Sequence, residues 1–165
     1  MNTWTMTVDS PVGPLLLTSD GDALTRLLFG GPPEAAWRTD PCPVLERARD
    51  QLAEYFTGQR HDFDLPLEPA GTPFQLRVWE ALREIPYART WSYAQLATRV
   101  GSPGASRAVG LANGRNPICI VVPCHRVIGA DGSLTGYGGG LDRKRLLLDL
   151  ERRVAGLADD QLALL

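Results

Sequence analysis

Hydrophobic and polar positions alternate in short runs through the first thirty residues. Three β-prone stretches, Trp4–Val8, 14–18 and 23–29, are separated by Asp9-Ser10-Pro11-Val12-Gly13 and Ser19-Asp20-Gly21-Asp22, both turn compositions. This pattern predicts a small antiparallel sheet. Residues 30–43, with four prolines, predict an irregular loop. From Val44 the period changes: Val44, Leu45, Ala48, Leu52, Tyr55 and Phe56 recur at helical spacing until Gly58 stops the run. Residues 65–73, with three prolines and Gly71, predict a linker. Thr72 then caps a helix whose first turn holds Pro73 and whose buried face is Phe74, Val78, Trp79, Ala81, Leu82 and Ile85, ending at Pro86.

Ser92 caps a further helix running to Arg99, with Tyr93, Leu96 and Ala97 inward. Gly101-Ser102-Pro103-Gly104 breaks it, and residues 105–113 form another short helix. Two short helices around a glycine-containing turn describe a helix-turn-helix, whose second helix usually approaches DNA. That second helix is made of small residues, Ala105, Ser106, Ala108, Gly110, Ala112 and Gly114, with Arg107 and Arg115 projecting among them. Stripped of bulk, it suits close approach to another surface, or equally tight packing in a core.

Charge changes this picture. The 165 residues carry a net charge of −2, which on its face argues against a nucleic-acid partner. Residues 1–86, however, hold 7 basic against 13 acidic side chains, and residues 87–153 hold 10 against 4. The near-neutral total joins two opposed halves, and the basic half is open to an anionic partner or to plain solvated helix faces. The three cysteines, Cys42, Cys119 and Cys124, cannot all pair, which favours a reducing cytoplasm. No signal segment or membrane-length apolar run is visible, so a soluble intracellular protein is expected. Before residue 119, Cys42 and His61 are the obvious metal ligands, too few for a site, and neither metal nor cofactor is expected.

The apolar residues 118–122 read as a strand delivering Pro123-Cys124-His125-Arg126-Val127. A thiolate is the nucleophilic form of cysteine, and a nearby imidazole that takes its proton raises the thiolate fraction at neutral pH. Neighbours on a continuing strand face opposite ways, so pairing Cys124 with His125 requires a turn at Pro123 or a bridging water. By itself the dipeptide is open to a structural reading as well as a catalytic one.

Pro123-Cys124-His125-Arg126-Val127-Ile128, preceded by Arg107-Ala108-Val109-Gly110, Ala112-Asn113-Gly114 and Asn116-Pro117, resembles the active-site signature of the O6-alkylguanine-DNA alkyltransferases, also called methylated-DNA-protein-cysteine methyltransferases. The likeness extends through Val78-Trp79-Glu80-Ala81-Leu82, Ile85-Pro86-Tyr87, Ser92-Tyr93 and Leu134-Thr135-Gly136-Tyr137-Gly138-Gly139-Gly140, from about Phe74 to Glu151. It implies an α+β protein: residues 1–70 a scaffold domain of antiparallel sheet and helix, residues 71–165 a mostly helical DNA-binding and alkyl-transfer domain with a helix-turn-helix and the active cysteine.

The activity implied is a single transfer of the alkyl group, mainly methyl, from O6-alkylguanine in DNA to the protein's own cysteine, which spends the molecule; O4-alkylthymine is a candidate second substrate. Carried over by position, Cys124 is the acceptor and His125 the base acting through a water. Glu151 holds the other imidazole nitrogen, with Asp149 as a competitor for that place. Asn116 ties the active-site turn together. Because a base inside a duplex is out of reach, the nucleotide is flipped into the pocket from the minor groove. Arg107 matches the finger that fills the vacated stack, within a small-residue helix whose Ala108, Gly110, Asn113, Gly114 and Arg115 meet DNA. Tyr93 matches the tyrosine that crowds the phosphate and helps protonate the leaving guanine. The carbonyls of Val127 and Cys124 face the guanine amine, and Tyr137 and Gly138 line the lid over O6.

Cys119, where relatives often have a small residue or proline, leaves tolerance of bulky adducts open. Double-stranded DNA is the expected partner, with self-association of bound copies beside it and no membrane. Three rivals remain: a damage sensor without chemistry, which the presence of Cys124 opposes; a regulator using the helix-turn-helix; and a cysteine hydrolase, for which no oxyanion site is evident.

Overall fold

The computed structural model describes residues 2–134, 137 and 139–157, which fold as a mixed α+β protein. The chain divides into two compact units, Met1–Ala70 with Pro117–Cys119, and Gly71–Asn116 with Ile120–Leu165.

In the first unit, β1 (Trp4–Val8), β2 (Leu15–Ser19) and β3 (Leu24–Phe29) form an antiparallel sheet in sequence order. Met6 pairs with Leu17, and Leu17 with Leu27, so the central strand is covered by both neighbours. Every residue of β2 is buried, whereas β1 mixes buried and exposed positions, as an edge strand does. Helix α1 (Pro43–Phe56) starts with proline at its first turn, where the missing N–H costs nothing, and packs Leu45, Ala48, Leu52 and Tyr55 inward. Each leucine buried in this core contributes about 1.5–3 kcal/mol of transfer free energy. The 30–43 loop is irregular, and Arg38 ties it to β1: Thr5 N–H donates to the Arg38 carbonyl at 2.8 Å, and Arg38 N–H to the Thr3 carbonyl at 2.7 Å.

The segment 118–122 differs from its strand-like pattern. Only Ile118 pairs, in an isolated bridge to Leu27, and the chain then turns with Ile120 at φ 71°. A run of β-branched residues gave a strand signal, but burial rather than sheet pairing is what those side chains satisfy: Ile118, Ile120 and Val122 are all in the core.

In the second unit, α2 (Pro73–Leu82) opens on a capping box: Gln75 N–H donates to the Thr72 hydroxyl, and Thr72 N–H to the Gln75 side chain. It stops at Leu82, short of the expected Pro86; Ile85 is buried beyond it, while Phe74 is half-exposed. Trp79 closes over Gly71, where a Cβ would stand 2.5 Å from the indole, and its Nε1–H donates to the Ala112 carbonyl at 2.9 Å. Helix α3 (Tyr93–Arg99) begins with a second capping box, from Ser92 and Gln95. It packs against α4 (Ser106–Gly114), and α2 packs against both. Tyr93, expected inward, is half-exposed. The two-residue strands β4 (Trp91–Ser92) and β5 (Val127–Ile128) pair in parallel, setting the start of α3 beside the residues that follow Cys124. Helix α5 (Leu141–Ala155) buries Lys144, Leu147, Leu148, Leu150 and Glu151 and ends on Gly156 in the left-handed region at φ 76°. Among the described residues, no helix is long and apolar enough to cross a membrane.

Candidate active site

The site is built on a single 3₁₀ turn, Cys124–Arg126, entered through Pro123. Cys124 N–H donates to the Val122 carbonyl at 2.8 Å and Arg126 N–H to the Pro123 carbonyl at 3.0 Å, which winds the chain tightly enough to take Cys124 and His125 off opposite strand faces. The turn that pairing of these two residues required is therefore present at Pro123. Asn116 fixes the entry: its Nδ2 donates to the same Val122 carbonyl at 2.8 Å. Asn113 contacts the turn from α4, its Nδ2 3.4 Å from the Cys124 carbonyl. Cys124 is 3% exposed, so its sulfur is held away from bulk water.

Helix α5 grips the turn residue by residue. Glu151 Oε2 lies 2.7 Å from His125 Nε2; Arg126 donates from Nε to Oε1 at 2.8 Å and from Nη2 to Oε2 at 3.0 Å; Ala88 N–H donates to Oε1 at 3.0 Å. The carboxylate thus accepts from four donors, which is how a fully buried charge is made tolerable. Burial alone would raise its pKa, but the facing His125 and Arg126 outweigh burial and hold it well below the ordinary carboxylate range. His125 shifts down, because its complete burial opposes protonation more than Glu151 favours it. With Glu151 ionised and His125 neutral, Nε2 carries the ring proton and Nδ1 presents a lone pair. That Nδ1 is buried and has no hydrogen-bond partner among the described residues. One turn of α5 carries this carboxylate, and Asp149, its competitor in the sequence, lies half-exposed beside Arg152 at 3.3 Å.

Two further buried ions have no role in the sequence pattern. Arg126 also donates from Nη1 to the Ile85 carbonyl at 2.8 Å and stacks 5.5 Å from the Tyr87 ring centroid. Lys144 donates from Nζ to the Val127 carbonyl at 2.6 Å. The sequence held a signal for Lys144: it sits seven residues before Glu151 with Leu147 and Leu148 between them, one face of one helix. Tyr87 belongs to the same surroundings, its hydroxyl pushed up to about 12 by burial and by Glu151.

Arg107, Ala108, Gly114 and Arg115 lie on the exposed side of α4, together with Leu111 at 59% exposure. Gly110 faces the Tyr93 ring, where an added Cβ would stand 3.4 Å from Cδ1. Asn113 is not on that exposed side but buried against the turn. Tyr137 is half-buried, with Lys144 Nζ 6.0 Å from its ring centroid. Gly138 lies outside the described residues. Cys124, His125, Glu151, Asn116, Asn113 and Val127 are thus brought together around one turn, while Arg107, Ala108, Gly114 and Arg115 share a separate helix face. All three cysteines are free thiols, and among the described residues no cluster of three or more His, Cys, Asp or Glu could hold a metal ion.

Residues 73–153 match the family model for the 6-O-methylguanine DNA methyltransferase DNA-binding domain, and residues 4–69 match the ribonuclease-like domain of the same proteins. The chain is 55% identical over 150 residues to a methylated-DNA–protein-cysteine methyltransferase of Mycobacterium tuberculosis, covering 88% of this chain and 90% of that one. A crystal structure of O6-methylguanine methyltransferase from M. tuberculosis superposes with a TM-score of 0.85 at 52% identity, over 97% of this chain and 98% of the other. A crystal structure of the M. tuberculosis protein in complex with DNA gives 0.84 at 50% identity, over 99% of both chains.

Proposed function

The chain belongs to the 6-O-methylguanine DNA methyltransferase family, and from that premise we propose that it repairs DNA by moving the alkyl group of O6-alkylguanine onto Cys124. The observation that carries the assignment to Cys124 is the buried relay beside it: an ionised Glu151 sets the His125 tautomer and leaves the Nδ1 lone pair as a base.

The cysteine proton passes to His125 Nδ1 through a water. The thiolate attacks the alkyl carbon, an S–C bond forms as the C–O6 bond breaks, and the electron pair leaves with guanine. Tyr93 supplies the proton that neutralises the departing base. The product is a thioether, which no group in the site can cleave, so each molecule reacts once. Soft nucleophiles suit displacement at carbon, and a pocket shut off from water keeps the thiolate unsolvated.

The helix face bearing Arg107, Ala108, Leu111, Gly114 and Arg115 meets the minor groove of double-stranded DNA, since small residues allow close approach and Arg115 faces the phosphates. Extruding the target nucleotide costs a few kcal/mol, and Arg107 fills the gap it leaves. Asn116 positions the turn, the carbonyls of Cys124 and Val127 meet the guanine amine, and Tyr137 and Gly138 form the lid. Copies bound side by side on one duplex belong to the same reading. The reaction belongs in the reducing cytoplasm, where Cys42, Cys119 and Cys124 remain thiols.

The test is incubation with duplex DNA containing O6-methylguanine, followed by peptide mass spectrometry. One methyl per chain, on Cys124, is expected. Repeated turnover, or a methyl on any other residue, overturns the assignment.

A further inference from the structure

Lys144 is a buried charge for which the transfer chemistry above has no task. It stands in the first turn of α5, where the helix dipole disfavours a cation, and its side chain is fully buried. Both circumstances oppose an ammonium there. A residue serving only as packing would be a leucine or methionine, which fills the same volume without a charge to desolvate. What the position offers instead is the Val127 carbonyl, 2.6 Å from Nζ and three residues after the acceptor sulfur.

We propose that Lys144 is the positioning cation of the acceptor: moored on the Val127 carbonyl, its ammonium supplies the positive charge against which Cys124 ionises. The idea rests on Cys124 as the acceptor. Charged and polar groups reach this turn from several elements. From the turn itself come His125, neutral at rest and facing Glu151 once it holds the Cys124 proton, and Arg126, which makes two bonds to the same carboxylate. From α4 comes the amide of Asn113. Tyr87 and Tyr137 present phenols, the first held protonated by burial. From α5 come Glu151, already answered, and Lys144. Burial lowers the Lys144 pKa to about 8, and the charge of Cys124 acts in the opposite sense, keeping the ammonium protonated. Coulomb interaction is reciprocal: a thiolate that favours the ammonium is favoured by it to the same degree. The proton balance is simple. Cys124 passes its proton through a water to His125 Nδ1, Glu151 answers the imidazolium so formed, Lys144 keeps all three of its own protons, and the Cys124–Lys144 pair is neutral before attack.

The test reads Cys124 ionisation without DNA, in the full chain. Carbamidomethylation of Cys124 by iodoacetamide, followed across pH by peptide mass spectrometry to separate it from Cys42 and Cys119, gives the thiolate inflection. In Lys144→Met the inflection should rise by about one pH unit, with methyl transfer at neutral pH slowed about tenfold and recovered at higher pH. Lys144→Arg, which keeps the charge, should restore the inflection to near the wild-type value. A second measurement needs no variant: ¹⁵N NMR of the Lys144 ammonium in the wild-type protein should show a lower titration midpoint once Cys124 is carbamidomethylated and neutral. An unmoved inflection in Lys144→Met, a rate loss equal at every pH, or a Lys144 midpoint indifferent to Cys124 alkylation overturns the proposal. Failure of the acceptor assignment would show separately, as a methyl mapped elsewhere.

Discussion

Helices α4 and α5 lie in the same unit, yet they treat charge in opposite ways. The buried side of α4 is uncharged, Val109, Ala112 and Asn113, and its Arg107 and the capping Arg115 are exposed. Helix α5 buries Lys144 and Glu151 and leaves Arg145 and Arg153 outside. An exposed arginine costs little and reads an external partner, whereas a buried ion costs several kcal/mol and persists only where its bonds are complete. The difference matches the two tasks proposed above, approach to DNA on α4 and preparation of a nucleophile on α5.

The contrast breaks most decisively at Glu151. Glu151→Ala leaves Arg126 buried without its carboxylate, and a loss of about 3–5 kcal/mol in urea unfolding is expected, along with the His125 orientation and nearly all transfer activity. Asp149→Ala, two residues away but paired at the surface with Arg152, should change stability by about 0.5 kcal/mol or less. Similar losses in both variants would mean that burial does not distinguish the charges of α5.

Arg107→Ala probes the other helix. Folding should be untouched, since the side chain is exposed. Single-turnover repair of duplex DNA should slow by about a hundredfold, equivalent to roughly 2.7 kcal/mol, the scale of unstacking and unpairing a base. Reaction with free O6-methylguanine or a soluble base analogue should stay within a factor of about two to three of wild type. Equal losses on duplex and free base would remove the finger role from α4.

Much of this was legible in the chain because local rules and tertiary structure agree. The Trp4–Val8 strand and the α3 helix from its Ser92 cap to Arg99 match their sequence patterns residue for residue, since alternation, capping box and glycine breaks all point the same way. Segment 118–122 has a strand pattern but folds as a turn, because an apolar β-branched run looks the same whether it pairs in a sheet or fills a core. Net charge places Arg126 and Lys144 in the basic half, as charges available to an outside anion. Counting charge cannot reveal burial, and only helical phase relative to Glu151 and the two intervening leucines could have placed Lys144 inside. Arg126 carried no such phase signal, because a 3₁₀ turn of three residues has no repeating face.

The buried side of the comparison also predicts a pH response. His125 has a lowered pKa in the folded protein against an ordinary 6.5, so below that value the unfolded chain binds a proton that the native chain refuses. Stability conferred by the neutral imidazole is therefore present at pH 7.5 and falls as pH drops toward 5.5, by at most about 1.4 kcal/mol per pH unit. Glu151 acts in a lower window, since its contribution is lost only below the ordinary carboxylate value of 4.5. Urea midpoints at the two pH values should diverge more in wild type than in His125→Gln, which lacks the titrating ring. Equal slopes would show that His125 is not held neutral.

The smallest effect lies where α4 meets Tyr93. Gly110 is inside a regular helical turn, where glycine costs about 0.5–1 kcal/mol relative to alanine. An added Cβ there would stand 3.4 Å from Tyr93 Cδ1 and 3.5 Å from Cε1, ordinary contact distances. Gly110→Ala should consequently fold with a stability gain of about 0.5–1 kcal/mol in urea titration, while Tyr93 keeps its place and transfer to Cys124 continues. Gly110→Val carries two further carbons into the same ring and must push Tyr93 aside, so it should slow transfer to free base and duplex alike. That pattern differs from Arg107→Ala, which acts on the duplex reaction alone. If Gly110→Val behaves like Gly110→Ala on both substrates, the small size of α4 serves approach to DNA only and plays no part in seating Tyr93.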